Sequence, residues 1–252
     1  MSRRRVGLSR GRPPARFVFL IGTGRSGTHL IGETISTHPE VDGRIEVPRT
    51  FKLSTLVATT RDIVETDVTA RRLQKLFRAY TRIARRSRRP FVLEKSHANI
   101  WNAEDLASHF EDASFVGVQR DACSTVASML RHGGIMRWYE DLPLDRPNRF
   151  LGVTEANRDE FASLSPAERC TWRWRSHRDE LLRLERVLGD RFVLVRYEDF
   201  AREPATDLDR VARLLGVDNE FELPDIALDS LEKWRRNLSD EQVAAINVVA
   251  QR

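Results

Sequence analysis

Phe17-Val18-Phe19-Leu20-Ile21 runs straight into Gly22-Thr23-Gly24-Arg25-Ser26-Gly27-Thr28-His29. The apolar run, with its β-branched and aromatic residues, reads as a buried strand, and the glycine-rich turn behind it opens a helix at about His29. Such a junction cradles phosphate. Glycines let backbone N–H groups turn inward, the helix N-terminus adds partial positive charge, and the hydroxyls of Ser26 and Thr28 are further donors to an anion. Gly22, Gly24 and Gly27 satisfy G-x-G-x-x-G, which marks a dinucleotide-binding turn when an acidic residue ends a second strand roughly 20 residues on. Asp42 sits at that distance, but Thr37-His38-Pro39-Glu40-Val41 before it does not read as an apolar strand. A Walker A loop fails differently: G-x-x-x-x-G is present, yet Thr28 and His29 stand where Lys and Ser/Thr should follow. The loop's cation is internal, at Arg25. A tight strand-to-helix turn without a ligand would show the same glycines.

Two further strand patterns end in chemistry-bearing residues. Phe115-Val116-Gly117-Val118-Gln119 leads to Arg120-Asp121 and a helix carrying Ser124, Ser128 and Arg131. An Arg fork suits a phosphate bidentately, and a hydroxyl two helical turns on lies on roughly the same side as the helix entrance. Phe91-Val92-Leu93-Glu94-Lys95-Ser96-His97 is a short strand ending in a cation and an imidazole. Taken with Arg25-Ser26-Gly27-Thr28, these pieces resemble the sulfotransferase superfamily, which uses 3′-phosphoadenosine 5′-phosphosulfate as sulfuryl donor. The first loop is similar to its 5′-phosphosulfate loop, Arg120 and Ser128 to its 3′-phosphate motif, and Lys95 to the lysine it places beside the sulfuryl group. Val193-Leu194-Val195-Arg196-Tyr197-Glu198-Asp199 and Ser230-Leu231-Glu232-Lys233-Trp234-Arg235 extend the resemblance toward the C-terminus.

The resemblance implies an α/β, P-loop-like three-layer fold with a central, mainly parallel sheet flanked by helices. It implies in-line transfer of a sulfuryl group to a hydroxyl of a carbohydrate, small alcohol, phenol or peptide tyrosine, with adenosine 3′,5′-bisphosphate as product and no metal. Gly24, Arg25, Ser26, Gly27, Thr28 and His29 would hold the 5′ end of the donor; Arg120, Ser128, Tyr197 and Lys233 would hold the rest. Arg25 and Lys95 are suited to neutralise charge on the bridging oxygen. Two residues compete for the role of base. Glu46, at the end of His38-Pro39-Glu40-Val41-Asp42-Gly43-Arg44-Ile45-Glu46, is similar to a glutamate in relatives acting on protein tyrosine and glycans; His97 is similar to the histidine of cytosolic relatives. Imidazole has the better matched pKa. Ala98-Asn99, however, departs from the proline that usually follows that histidine, so the pattern favours Glu46. Trp234 would stack on adenine or pack inward.

Composition fits one domain over 17–252 behind a basic, flexible segment 1–16: the 252 residues are 40% hydrophobic, with net charge +5. The arginines of 71–89 share their stretch with Leu73, Leu76, Phe77, Tyr80, Ile83 and Ala84 at helical spacing, the mark of an amphipathic helix with a solvated basic face; a polyanionic acceptor, such as a glycan or nucleotide conjugate, is the lesser alternative use of that charge, and no nucleic-acid partner is expected. No apolar run approaches the ~20 residues of a membrane span, and the N-terminal arginines precede no signal-peptide core, which together predict a cytoplasmic protein. Cys123 and Cys170 read as packing thiols. Along the chain, helices are expected near 29–37, 67–86, 103–110, 123–131, 167–188 and 204–215, and from Asp240. Strands are expected at 17–21, 91–93, 114–118 and 191–195. Gly133-Gly134 reads as a helix stop, 135–166 as a loop-rich excursion and 50–65 as irregular, and these two segments are where acceptor choice is expected to lie. A nucleotide kinase and a basic nucleic-acid-binding protein are the rival readings.

Overall fold

The computed structural model describes residues 13–251, so most of the expected basic segment 1–16 lies outside the described residues, and its last residue, Arg16, already opens the first strand. Five strands form the sheet: β1 (Arg16–Gly22), β2 (Val41–Ile45), β3 (Phe91–Lys95), β4 (Ser114–Gln119) and β5 (Phe192–Arg196). All pairings are parallel and the order is β2-β3-β1-β4-β5. The apolar runs dictate this arrangement, because strands buried on both faces carry continuous hydrophobic sequence. On β1, Phe17, Phe19 and Ile21 enter one core while Val18 and Leu20 enter the other. The first core stacks Phe17, Phe19 and Phe115 at ring spacings of 4.9 and 5.5 Å.

Helices fill the two outer layers. On the Val18 side lie α1 (Thr28–Ser36), α9 (Tyr197–Arg202) and α10 (Pro204–Leu215), through Ile31, Ile35, Phe200, Leu208 and Val211. The Phe17 side receives α2 (Pro48–Thr60), α3 (Thr66–Arg86), α4 (Ala103–His109), α5 (Ala122–Leu130), α6 (Gly133–Asp141), the short α7 (Arg158–Phe161), α8 (Pro166–Leu188) and α11 (Asp240–Gln251). Local signals set their ends. Ser165 and Glu168 close a capping box around Pro166 at the start of α8, and Gly216 ends α10 at φ +72°. Among the described residues no helix is long and apolar enough to cross a membrane.

Three expectations are corrected. Val41–Ile45 is a strand, although it follows His38-Pro39 and contains Asp, Gly and Arg; it lies at the sheet edge, half exposed, with Arg44 paired to Asp42 at 2.8 Å. A dinucleotide site still fails, because β3 lies between β1 and β2 and separates Asp42 from the loop, unlike the 3-2-1-4 order that such sites need. Residues 48–60 form α2, with Pro48 in its first turn. Gly133-Gly134 opens α6 instead of ending α5: the ring of His132 accepts the Ile135 N–H at 3.3 Å as an N-cap. The expected excursion 135–166 therefore contains α6, α7 and an Asn148–Val153 bridge.

Candidate active site

The C-terminal ends of β1, β3, β4 and β5 deliver Gly22, Lys95, Arg120 and Tyr197 to one edge of the sheet. Between β1 and α1 the loop turns through left-handed backbone at Arg25 (φ +80°) and Gly27 (φ +91°). Ser26 is buried, and its Oγ donates to the Thr23 carbonyl at 2.6 Å, as its N–H does at 3.1 Å. The expected Ser26 hydroxyl donor to an anion is thus spent as a staple inside the loop. No side chain caps α1, so the orphan amides of its first turn face the cleft. The exposed ring of His29 pairs with Glu33 at 3.2 Å.

Toward the far end, Arg25 Nε donates to Ser128 Oγ at 3.1 Å, joining the loop to α5. Arg120 lies over the Tyr197 ring, 4.4 Å from its centroid, and donates from Nη2 to the Ser230 carbonyl at 3.3 Å. Trp174 Nε1 donates to the Arg120 carbonyl at 2.8 Å and fixes its backbone. Arg120 Nε and Ser230 Oγ are buried without a partner. These groups, with Ser124, Arg131, Lys233 and Trp234, surround a cavity of about 500 Å³. Unsatisfied donors in such a cavity call for an anion.

Lys95 and His97 are buried, and Glu46 is half-buried. Glu46 sits at φ +48°, its N–H donating to the Lys95 carbonyl at 2.9 Å, so β2 ends by turning the carboxylate into the cleft. Its Oε1 pairs with Lys95 Nζ and lies 3.8 Å from His97 Nδ1. The His97 ring and then the Lys95 ammonium hold the Glu46 carboxyl down to about 2, against its partial burial. Burial holds the His97 imidazole down to about 4; Glu46 opposes this and the fully buried Arg173 assists it. His97 Nε2 is buried without a partner. A Cβ on Gly24 would sit 3.6 Å from that nitrogen, so it faces the loop.

Sequence reasoning missed the support beneath His97. Glu94, fully buried on the opposite face of β3, accepts from Ser96 Oγ at 2.6 Å and Asn99 Nδ2 at 2.7 Å; Asn99 also donates to Tyr80. The network pins residues 96–102. Burial pushes the Glu94 carboxyl up to about 7, despite the hydrogen bonds it accepts. From pH 4.5 to about 7 the folded chain holds a proton that the unfolded chain has released, so this group's contribution to stability falls as pH rises. The stability difference between the unaltered protein and Glu94→Gln, from urea unfolding at pH 5 and pH 8, is expected to shrink by about 3 kcal/mol across that window. A pH-independent difference would contradict it.

A second cavity of about 840 Å³ adjoins the first, sharing Arg25, Arg120, Ser128 and His132. Of the candidate residues, Gly24, Arg25, Gly27, Thr28, His29, Glu46, Lys95, His97, Arg120 and Ser128 line it, while Tyr197 and Lys233 line only the first. Ser26 lines neither. Phe51, Ile135 and Trp138 come from the two segments, 50–65 and 135–166, expected to set acceptor choice, although not as the helices α2 and α6 that carry them; His132 was not expected here.

The sulfotransferase family model matches residues 17–222. The chain belongs to the sulfotransferase family. Solved sulfotransferase structures share its fold. The sulfotransferase domain of the Synechococcus PCC 7002 olefin synthase is 17% identical with a TM-score of 0.56, over 94% of this chain and 95% of that one. The sulfotransferase domain of the curacin biosynthetic pathway is 14% identical with a TM-score of 0.55, over 95% and 98%. A sulfotransferase from Alicyclobacillus acidocaldarius is 19% identical with a TM-score of 0.53, over 96% and 97%. Among curated proteins no significant match is found.

Proposed function

We propose that this sulfotransferase takes its sulfuryl group from 3′-phosphoadenosine 5′-phosphosulfate and that residues 17–252 act as one domain. The observation that carries the reading is the pair of joined cavities, one cornered by the unpartnered Arg120 Nε and the other by the amides of α1. Arg120, Ser124, Ser128 and Lys233 would hold the 3′-phosphate, and the loop amides of 24–29 the 5′-phosphate. Two anion-holding corners in joined cavities suit a nucleotide phosphorylated at both ends.

In the reaction the acceptor oxygen bonds to sulfur as the bond from sulfur to the bridging phosphate oxygen breaks. Adenosine 3′,5′-bisphosphate leaves. Arg25 and Lys95 are the cations available to the charge that grows on the bridging oxygen. Lys95 is engaged by Glu46 in the free protein, and turning it toward the donor loosens that pair. The acceptor's proton passes to His97 Nε2: this nitrogen is unpartnered, the ring is neutral at pH 7, and Glu46 faces the opposite nitrogen to orient it. Glu46 is the weaker candidate for base, since its neighbours hold it near 2.

Thermal-shift titration with adenosine 3′,5′-bisphosphate, ATP plus Mg²⁺, and NAD tests the donor. A ligand selective for the folded state raises apparent stability by mass action. Stabilisation is expected with the bisphosphate, with its affinity reduced about 100-fold in Arg120→Ala, the scale of a lost charge-assisted phosphate contact. No shift with the bisphosphate, or a larger one with ATP, would sink the reading.

A further inference from the structure

Resting on that reading of the donor site, we propose that the acceptor is an uncharged phenol or alcohol with an apolar, ring-bearing body, and neither a polyanionic glycan nor an acid-flanked tyrosine peptide. Beyond the donor-holding groups, the larger cavity is walled by Leu30 of α1, Phe51 of α2, and Ile135 and Trp138 of α6. Leu30, Phe51 and Trp138 are half-buried, so large apolar side chains keep surface turned to the cavity instead of closing into the core. Apolar surface gathered in a concave site is the usual signature of an apolar ligand body.

Two of these rings pack against the imidazole that would take the proton. The His97 ring lies 5.5 Å from that of Phe51 and 5.9 Å from that of Trp138, centroid to centroid. A flat apolar body beside these rings brings its hydroxyl to the unpartnered Nε2. Sugar hydroxyls in the same place would face Leu30, Phe51 and Trp138 with few partners.

Charge discriminates further. The cavity's cations, Arg25, Lys95 and Arg120, belong to the donor's half, and Lys95 is already paired with Glu46. Facing the acceptor are the carboxylates of Glu33 and Glu46 and the rings of His29, His97 and His132; His29 pairs with Glu33, and His132 accepts the Ile135 N–H. The exposed basic face of α3, including Lys75, Arg78 and Arg82, lines a different surface. Among the residues lining the acceptor's half, a sulfated or carboxylated chain would therefore find no unpaired Lys or Arg to answer its charge.

Calorimetry on the full chain tests the proposal in two steps. Adenosine 3′,5′-bisphosphate is titrated first, and its failure to bind would remove the donor reading and this proposal with it. On the loaded protein, 2-naphthol is expected to bind saturably. Phe51→Ala and Trp138→Ala should each weaken it about 10-fold while bisphosphate affinity stays within about twofold, which also certifies their folding. A chondroitin hexasaccharide and an aspartate-flanked tyrosine peptide are expected not to bind. Tighter binding of either, no saturable binding of 2-naphthol, or indifference of 2-naphthol to both substitutions overturns the proposal with the donor reading intact.

Discussion

His97→Asn is expected to lower turnover about 10²- to 10⁴-fold, the usual worth of a positioned general base, while leaving adenosine 3′,5′-bisphosphate affinity unchanged. The imidazole is buried, so it is uncharged above about pH 4 and ready to accept a proton. Asn keeps a polar group beside Phe51 and Trp138 but cannot act as base. Glu46→Gln is expected to cost less, about 10-fold, because the carboxylate acts through the ring. It also has a signature that a structural defect lacks. Glu46 raises the His97 pKa, so its removal moves the acid limb of the kcat profile to lower pH. Measured side by side over pH 3–9, the two variants separate the roles. Glu46→Gln falling further than His97→Asn would make the carboxylate the base.

The donor half of this site was legible in the sequence because each part sits where an apolar strand run stops. Ile21, Leu93 and Gln119 end such runs, and the residues just beyond them must emerge at one sheet edge once the strands are parallel. Spacing along α5 then carries Ser128 to the side of Arg120. The acceptor half had no such marker. Phe51, Ile135 and Trp138 come from α2 and α6, and their sequences pattern as ordinary packing residues until the helices are placed. Val41–Ile45 escaped because an edge strand is paired on one side only, which lets Asp42 and Arg44 occupy positions that a central strand would fill with apolar residues. The inward turn of Ser26 follows from φ angles of +80° at Arg25 and +91° at Gly27, and no residue pattern reports those angles. Glu94 looked like one more residue in an apolar strand, yet its network holds His97 in place.

Gly27→Ala is expected to raise the dissociation constant for adenosine 3′,5′-bisphosphate at least about 100-fold, or about 3 kcal/mol. The φ of +91° already disfavours any residue with a Cβ. The larger obstacle is the Tyr197 ring, whose Cδ2 and Cε2 lie 2.1 and 2.3 Å from where that carbon would be. Ring and loop cannot both stay. If the ring leaves, Arg120 loses the face it stacks on at 4.4 Å; if the loop moves, the α1 amides lose their aim. One methyl group thereby disturbs both phosphate sites. Tyr197→Ala alone removes only the stacking, worth about 1 kcal/mol, and should weaken binding about fivefold. In Gly27→Ala/Tyr197→Ala the collision is gone and the backbone strain remains, so the double variant should bind the nucleotide better than Gly27→Ala does. Such strong non-additivity is what a shared contact produces. Additive losses would mean that Gly27 and Tyr197 serve the nucleotide independently. Gly133→Ala is the control, because no atom lies within 4 Å of its added carbon and binding should not change.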